Sequence, residues 1–95
     1  MKGSIERKLR RNSEALHRAR EALEVAEAQL SHFAAAADDA ERDAIVADTP
    51  MRSAEHRGAA RAADVMRRDR DRLSAEIDQL ERTQDELLDR LTAGG

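Results

Sequence analysis

From Ile5 onward, apolar or small residues fall at positions 5, 9, 12, 16, 19, 23, 26, 30, 33, 37, 40, 44 and 47, with Asn12 the one polar member. Steps of four and three alternate without interruption, which is the 3.5-residue period of a coiled-coil seam. With Leu9 at position a, the a sites hold Leu9, Leu16, Leu23, Leu30, Ala37 and Ala44. The d sites hold Ile5, Asn12, Ala19, Ala26, Phe33, Ala40 and Ala47. The pattern predicts one helix over residues 5–47, capped by Ser4 and about 65 Å long at 1.5 Å per residue.

A second seam follows: Arg52, His56, Ala59, Ala63, Met66, Arg70, Leu73, Ile77, Leu80, Gln84, Leu87 and Leu91. It predicts a helix from Pro50 to residue 91 or 92, ended by Gly94 and Gly95. Between the two lies Ala47-Asp48-Thr49-Pro50-Met51, which holds the only proline. Pro50 suits the first position of a helix, where its missing N–H costs nothing, and it drives Thr49 out of the α region. Asp48 and Thr49 both offer an N-cap oxygen. The expected fold is therefore all-α and a single domain over residues 1–95: an antiparallel two-helix coiled-coil hairpin with its turn at residues 48–49.

Antiparallel pairing sets the a layers of one helix against the d layers of the other. Residues whose numbers sum to 96 satisfy this at every layer, so Leu9 faces Leu87, Leu16 faces Leu80, Ala19 faces Ile77 and Phe33 faces Ala63. The axis of that pairing is residue 48, inside the turn. Asn12 then faces Gln84, and two amides that satisfy each other would disfavour a heptad slip, so these two are read as a register pair.

Composition thins this picture. Of the apolar residues, 19 are alanine and nine are leucine, and Phe33 is the sole aromatic. Two such helices bury little, and small chains of this kind usually need a second copy or a partner. The charged fraction of 39% exceeds the roughly 25% of ordinary domains and suits long helices.

Charge is segregated. Residues 1–20 carry +5, residues 21–48 carry −7, residues 49–72 carry +3 and residues 73–95 carry −4, for a net charge of −3. Each helix thus opposes its own macrodipole. The arrangement suits antiparallel neighbours, where +5 lies beside −4 and −7 beside +3. Glu27 with Arg67 is the expected favourable pair, and Arg70 is expected to reach Glu27 or solvent.

The flanks of the seam differ. In an antiparallel pair the g and c positions of both helices share one side. That side shows Ala15, Ala22, Val25, Ala36 and Val46, then Met51, Gly58, Ala62 and Val65. The other side is polar. The small, mildly apolar side predicts dimerisation into a four-helix bundle, and a close contact there would explain Gly58, which costs about 1 kcal/mol in a helix relative to alanine. Ile45, Val46, Asp48, Thr49, Pro50 and Met51 form an unusually apolar tip, a candidate partner-binding site.

Sites for chemistry are sparse. Glu14 and His17 have a di-metal spacing but sit at outer positions f and b. His56 occupies a seam position opposite Ala40, as a structural or pH-sensitive histidine. The basic run Arg7, Lys8, Arg10, Arg11 is expected to match Asp85, Glu86 and Asp89 across the hairpin. There is no cysteine, no Gly-rich phosphate loop and no His-Glu-x-x-His motif, so no catalytic residue, metal or cofactor is assigned. Nucleic acid is an unfavoured partner, since the chain has net negative charge and no aromatics to stack on bases. No apolar run approaches the roughly 20 residues of a membrane span, and no signal-peptide pattern follows the basic start. A cytoplasmic protein is expected. Fifteen arginines against two lysines, with so much alanine, suggest a GC-rich bacterial genome.

These features point to a small non-enzymatic scaffold or interaction protein. Asp43, Asp48 and Glu55 near the tip also resemble the acidic tips of the bacterial transcript-cleavage and stringent-response factors. Those factors insert a coiled-coil hairpin into the RNA polymerase secondary channel. The resemblance implies a transcription-machinery factor as the alternative, although no diagnostic motif of that family is present.

Overall fold

The structure is a computed structural model that describes residues 2–94. It contains two helices, α1 (Lys2–Ala47) and α2 (Pro50–Ala93), packed as a helical hairpin. The first begins three residues earlier than the Ser4 cap predicts. Ser4 lies inside the first turn instead of capping it, because Lys2 and Gly3 already continue the helical path. The second runs one residue past its expected end. There the Gly94 N–H donates to the Arg90 carbonyl at 3.0 Å without a left-handed glycine. Gly95 lies outside the described residues.

The chain reversal is made by two residues with separate tasks. Asp48 has φ of 45°, and its N–H donates to the Ala44 carbonyl at 2.9 Å. That is the single-bond left-handed termination of a helix, and aspartate is one of the few side chains that tolerate it. Thr49 then starts α2. Its Oγ1 accepts from the Arg52 N–H at 3.2 Å and its carbonyl from the Ser53 N–H at 3.0 Å, which is N-cap geometry. Only Thr49 caps, and Asp48 instead ends α1. Neither helix has an acid in its first turn and α1 has no base in its last, whereas Arg90 in the last turn of α2 suits the macrodipole there.

Packing divides into two units, one of Met1–Leu23 with Arg72–Gly95, the other of Glu24–Asp71. In the first, Leu16, Ala19 and Ile77 form the buried cluster, with Leu23 and Leu80 packed on it. These are the layers the sum of 96 places together. Leu73 and Leu87 are buried in the same unit. In the second, only alanines, Ala26 and Ala63, reach full burial among the described apolar residues, while Leu30, Phe33 and Met66 are half-buried. From Ile5 to Ala44 every predicted seam position of α1 is buried or half-buried, and so is every one of α2 from His56 to Leu91. Ala47 and Arg52 are exposed, so the seam opens at the turn.

Asn12 is the buried polar residue of the core, with 8% of its surface exposed. Its Nδ2 donates to the Leu80 carbonyl at 2.8 Å, not to the Gln84 side chain. The layer is preserved, because the carbonyl of residue 80 points along α2 towards residue 84, whose N–H is its helical donor. A backbone carbonyl occurs at every residue, however. It specifies register less sharply than the amide pair of Asn12 and Gln84 would.

Candidate functional site

Heptad phase decides which side chains remain outside the hairpin, and two regions stand out. The first belongs to the unit Glu24–Asp71. Seam positions in this stretch are mostly alanine, so the two helices use up little apolar surface between them. Larger aliphatics occupy flanking positions and stay in water. Ile45 is 73% exposed, Val46 87% and Met51 70%. Val25 and Val65 are each more than half exposed. Ala22 and Ala36 are exposed, and Gly58 and Ala62 are half-buried. Ala15, in the other unit, is half-buried.

Gly58 has no close neighbour inside the chain. A Cβ built on it would meet first the Arg61 guanidinium, at 4.0 Å. The close contact expected there is therefore not made within the hairpin. At the tip, Asp48, Thr49, Pro50 and Met51 are exposed alongside Ile45 and Val46. Of the three acids near the tip, Glu55 is held by Arg52 on its own helix at 3.2 Å, and Asp48 is the left-handed residue of the turn.

His56 is half-buried, and its Nδ1 is buried without a hydrogen-bond partner. His17 pairs with Glu21, one turn further along α1, at 3.0 Å on the exposed face, and Glu14, which the spacing singles out, lies on its other side. His32 is exposed and stacks edge-on against Phe33, with ring centroids 5.5 Å apart. Among the described residues, no three His, Asp or Glu side chains gather where they could hold a metal ion, and no helix is long and apolar enough to cross a membrane.

Ion pairs form mainly along single helices. Arg67 pairs with Asp64 at 2.6 Å rather than with Glu27. Arg70 bonds its neighbour Asp71, Nε to Oδ1 at 2.9 Å, rather than Glu27. Arg42 pairs with Asp39. Arg20 with Glu81 crosses between helices, at 3.8 Å. Three- and four-residue spacings bring partners together on one helix with short side-chain reach, and exposed pairs of this sort add at most about 0.5 kcal/mol each. Among the described residues, charge segregation thus seldom appears as contacts across the seam.

The second region lies in the unit of Met1–Leu23 with Arg72–Gly95. Lys8, Arg11, Asn12, Thr83, Leu87 and Arg90 line an open groove of about 430 Å³. Among the described residues, no ion pair joins Arg7, Lys8, Arg10 or Arg11 to Asp85, Glu86 or Asp89. The expected cross-hairpin matching is not realised as contacts. The heptad pattern alone did not reveal this groove, although Lys8, Arg11 and Asn12 share a helical face and could have signalled it. No family model, curated protein or solved structure matches this chain significantly.

Proposed function

We propose that the protein is a non-enzymatic helical scaffold of the cytoplasm that acts through protein–protein contacts, first with a second copy of itself. The face of Val25, Val46, Met51, Gly58, Ala62 and Val65 is the proposed interface. Two hairpins stacked there would form a four-helix bundle. The observation that carries this reading is the inversion of burial in Glu24–Asp71. Alanines are its buried apolar residues, while Val25, Ile45, Val46, Met51 and Val65 stay exposed.

Surface arithmetic supports it. The chain exposes 6803 Å², where a compact monomer of 10.6 kDa exposes about 5,500 Å² by the usual scaling. The excess, about 1,300 Å², exceeds the roughly 800 Å² each partner contributes to a standard interface. Small residues at Ala22, Ala36, Gly58 and Ala62 would let helices approach closely across it.

Sedimentation equilibrium tests the proposal. The chain should sediment as a dimer at micromolar concentration. Changing Val25 and Val65 together to serine should shift it to monomer while circular dichroism stays helical. A well-folded monomer of the unaltered chain at millimolar concentration would end the proposal.

A further inference from the structure

The groove lined by Lys8, Arg11, Asn12, Thr83, Leu87 and Arg90 has the features of a site for an anion. Lys8, Arg11 and Asn12 follow the i, i+3, i+4 spacing of one face of α1, and Thr83, Leu87 and Arg90 the i, i+4, i+7 spacing of one face of α2. The antiparallel packing brings these faces together, so Lys8 and Arg11 of α1 and Arg90 of α2 line one depression. None of the three is engaged in an ion pair among the described residues. Lys8 and Arg11, three residues apart on α1, repel each other.

On α2, Asp85 and Asp89 lie about 160° around the helix from Leu87, and Glu86, one turn before Arg90, forms no ion pair with it among the described residues. The groove is also furnished with neutral donors. Asn12 is more than nine-tenths buried and spends one amide hydrogen on the Leu80 carbonyl, which leaves the second. Thr83 Oγ1 accepts from Gln79 Nε2 at 3.4 Å and keeps its own hydrogen to donate. Two guanidinium forks suit phosphate oxygens, which they can grip in pairs.

We propose that this groove binds an oligophosphate, a chain of two or more linked phosphate groups. Three separated cations along two helices match an extended polyanion better than a single tetrahedral ion. The groove's volume falls within the roughly 300–1,000 Å³ range of ligand pockets. Its one apolar lining residue, Leu87, and the absence of any aromatic side chain in it offer no platform for a nucleobase. The phosphates themselves, not a nucleotide or nucleic acid, are the recognised chemistry. Val25, Val46, Met51, Gly58, Ala62 and Val65 of the proposed dimer face lie in the other unit, Glu24–Asp71.

Isothermal titration of the full chain with sodium tripolyphosphate at low salt tests it, beside orthophosphate, a short glutamate peptide and a single-stranded oligonucleotide. Tripolyphosphate should bind more tightly than orthophosphate. The double variant R11Q with R90Q should weaken it by at least about tenfold. Both side chains are exposed and form no ion pair among the described residues, so circular dichroism should show the variant folded. R10Q with R68Q removes the same charge outside the groove, since Arg10 lies about 160° from Lys8 around α1, and should change binding far less. The proposal is overturned by equal loss in both double variants, by equal affinity for the glutamate peptide, by tighter binding of the oligonucleotide, or by no binding of tripolyphosphate.

Discussion

Replacing Gly58 with alanine separates the hairpin from its proposed dimer. Gly58 lies in the interior of α2 with a helical backbone, and no described glycine has positive φ. The added methyl meets nothing nearer than the movable end of Arg61, at 4.0 Å. Within one chain the substitution therefore brings no steric cost, only the gain in helix propensity, about 0.8–1 kcal/mol. For a chain of this size that corresponds to a rise in Tm of about 4–8 °C. In the dimer the same methyl would stand between helices that approach closely at a glycine, and association would weaken. Thermal melting by circular dichroism at low micromolar concentration, repeated at about hundredfold higher concentration, reads both effects through the concentration dependence of Tm. The variant should melt higher than the parent when dilute and lose most of the parent's concentration dependence. Destabilisation at low concentration would refute the view that nothing in the chain closes over Gly58. Stabilisation with association unchanged would remove Gly58 from the contact face.

Leu16→Ala should cost about 3 kcal/mol, because Leu16 is 2% exposed at the centre of the buried cluster and truncation there leaves a cavity; urea denaturation reads the loss. Thr49→Ala should cost about 1 kcal/mol through the lost cap to the Arg52 N–H, whereas Asp48→Gly should raise Tm by relieving the left-handed strain. A fall in Tm for the glycine variant would show that the Asp48 side chain makes a contact worth more than its strain. Asn12→Leu should stabilise the fold by about 1 kcal/mol. The Leu80 carbonyl keeps its helical donor, and the adjacent groove has room for the larger side chain. A lower urea midpoint would show that the Asn12 bond outweighs apolar burial. His56→Leu should also raise the urea midpoint, by about 1–2 kcal/mol, since the buried Nδ1 has no partner and its desolvation is uncompensated.

What the sequence makes legible is whatever depends on periodicity. The seam, the axis at residue 48 and the layers of Leu16, Ala19, Ile77 and Leu80 follow from the four-three spacing, because burial on a helix is set by angle and angle by residue number. Choices among hydrogen-bond acceptors are not periodic. Asn12 turned to a backbone carbonyl because one lay within reach in the same layer, and residue spacing carries no signal of that. Arg67 and Arg70 took carboxylates on their own helix because these were nearer than Glu27. The division of labour between Asp48 and Thr49 rests on a single φ angle that either residue type tolerates. The basic groove was hidden for a related reason. Its residues come from opposite ends of the chain, and the same heptad phase that brings them together turns Asp85 and Asp89 away.

Pro50 has a consequence for how copies of this chain can combine. The seam satisfies its pairing rule for any two segments whose numbers sum to 96, whether they belong to one chain or to two. If the turn straightened, two continuous helices could lie antiparallel and recover every layer in each other, exchanging halves. Hairpins with such symmetric seams are open to this kind of swap. Pro50 opposes it, because in an uninterrupted helix it has no N–H to give the Val46 carbonyl and its ring collides there, at about 3 kcal/mol for each chain. The single proline therefore acts as a guard on stoichiometry. It keeps each chain folded on itself, and any pairing between copies is left to the outer faces.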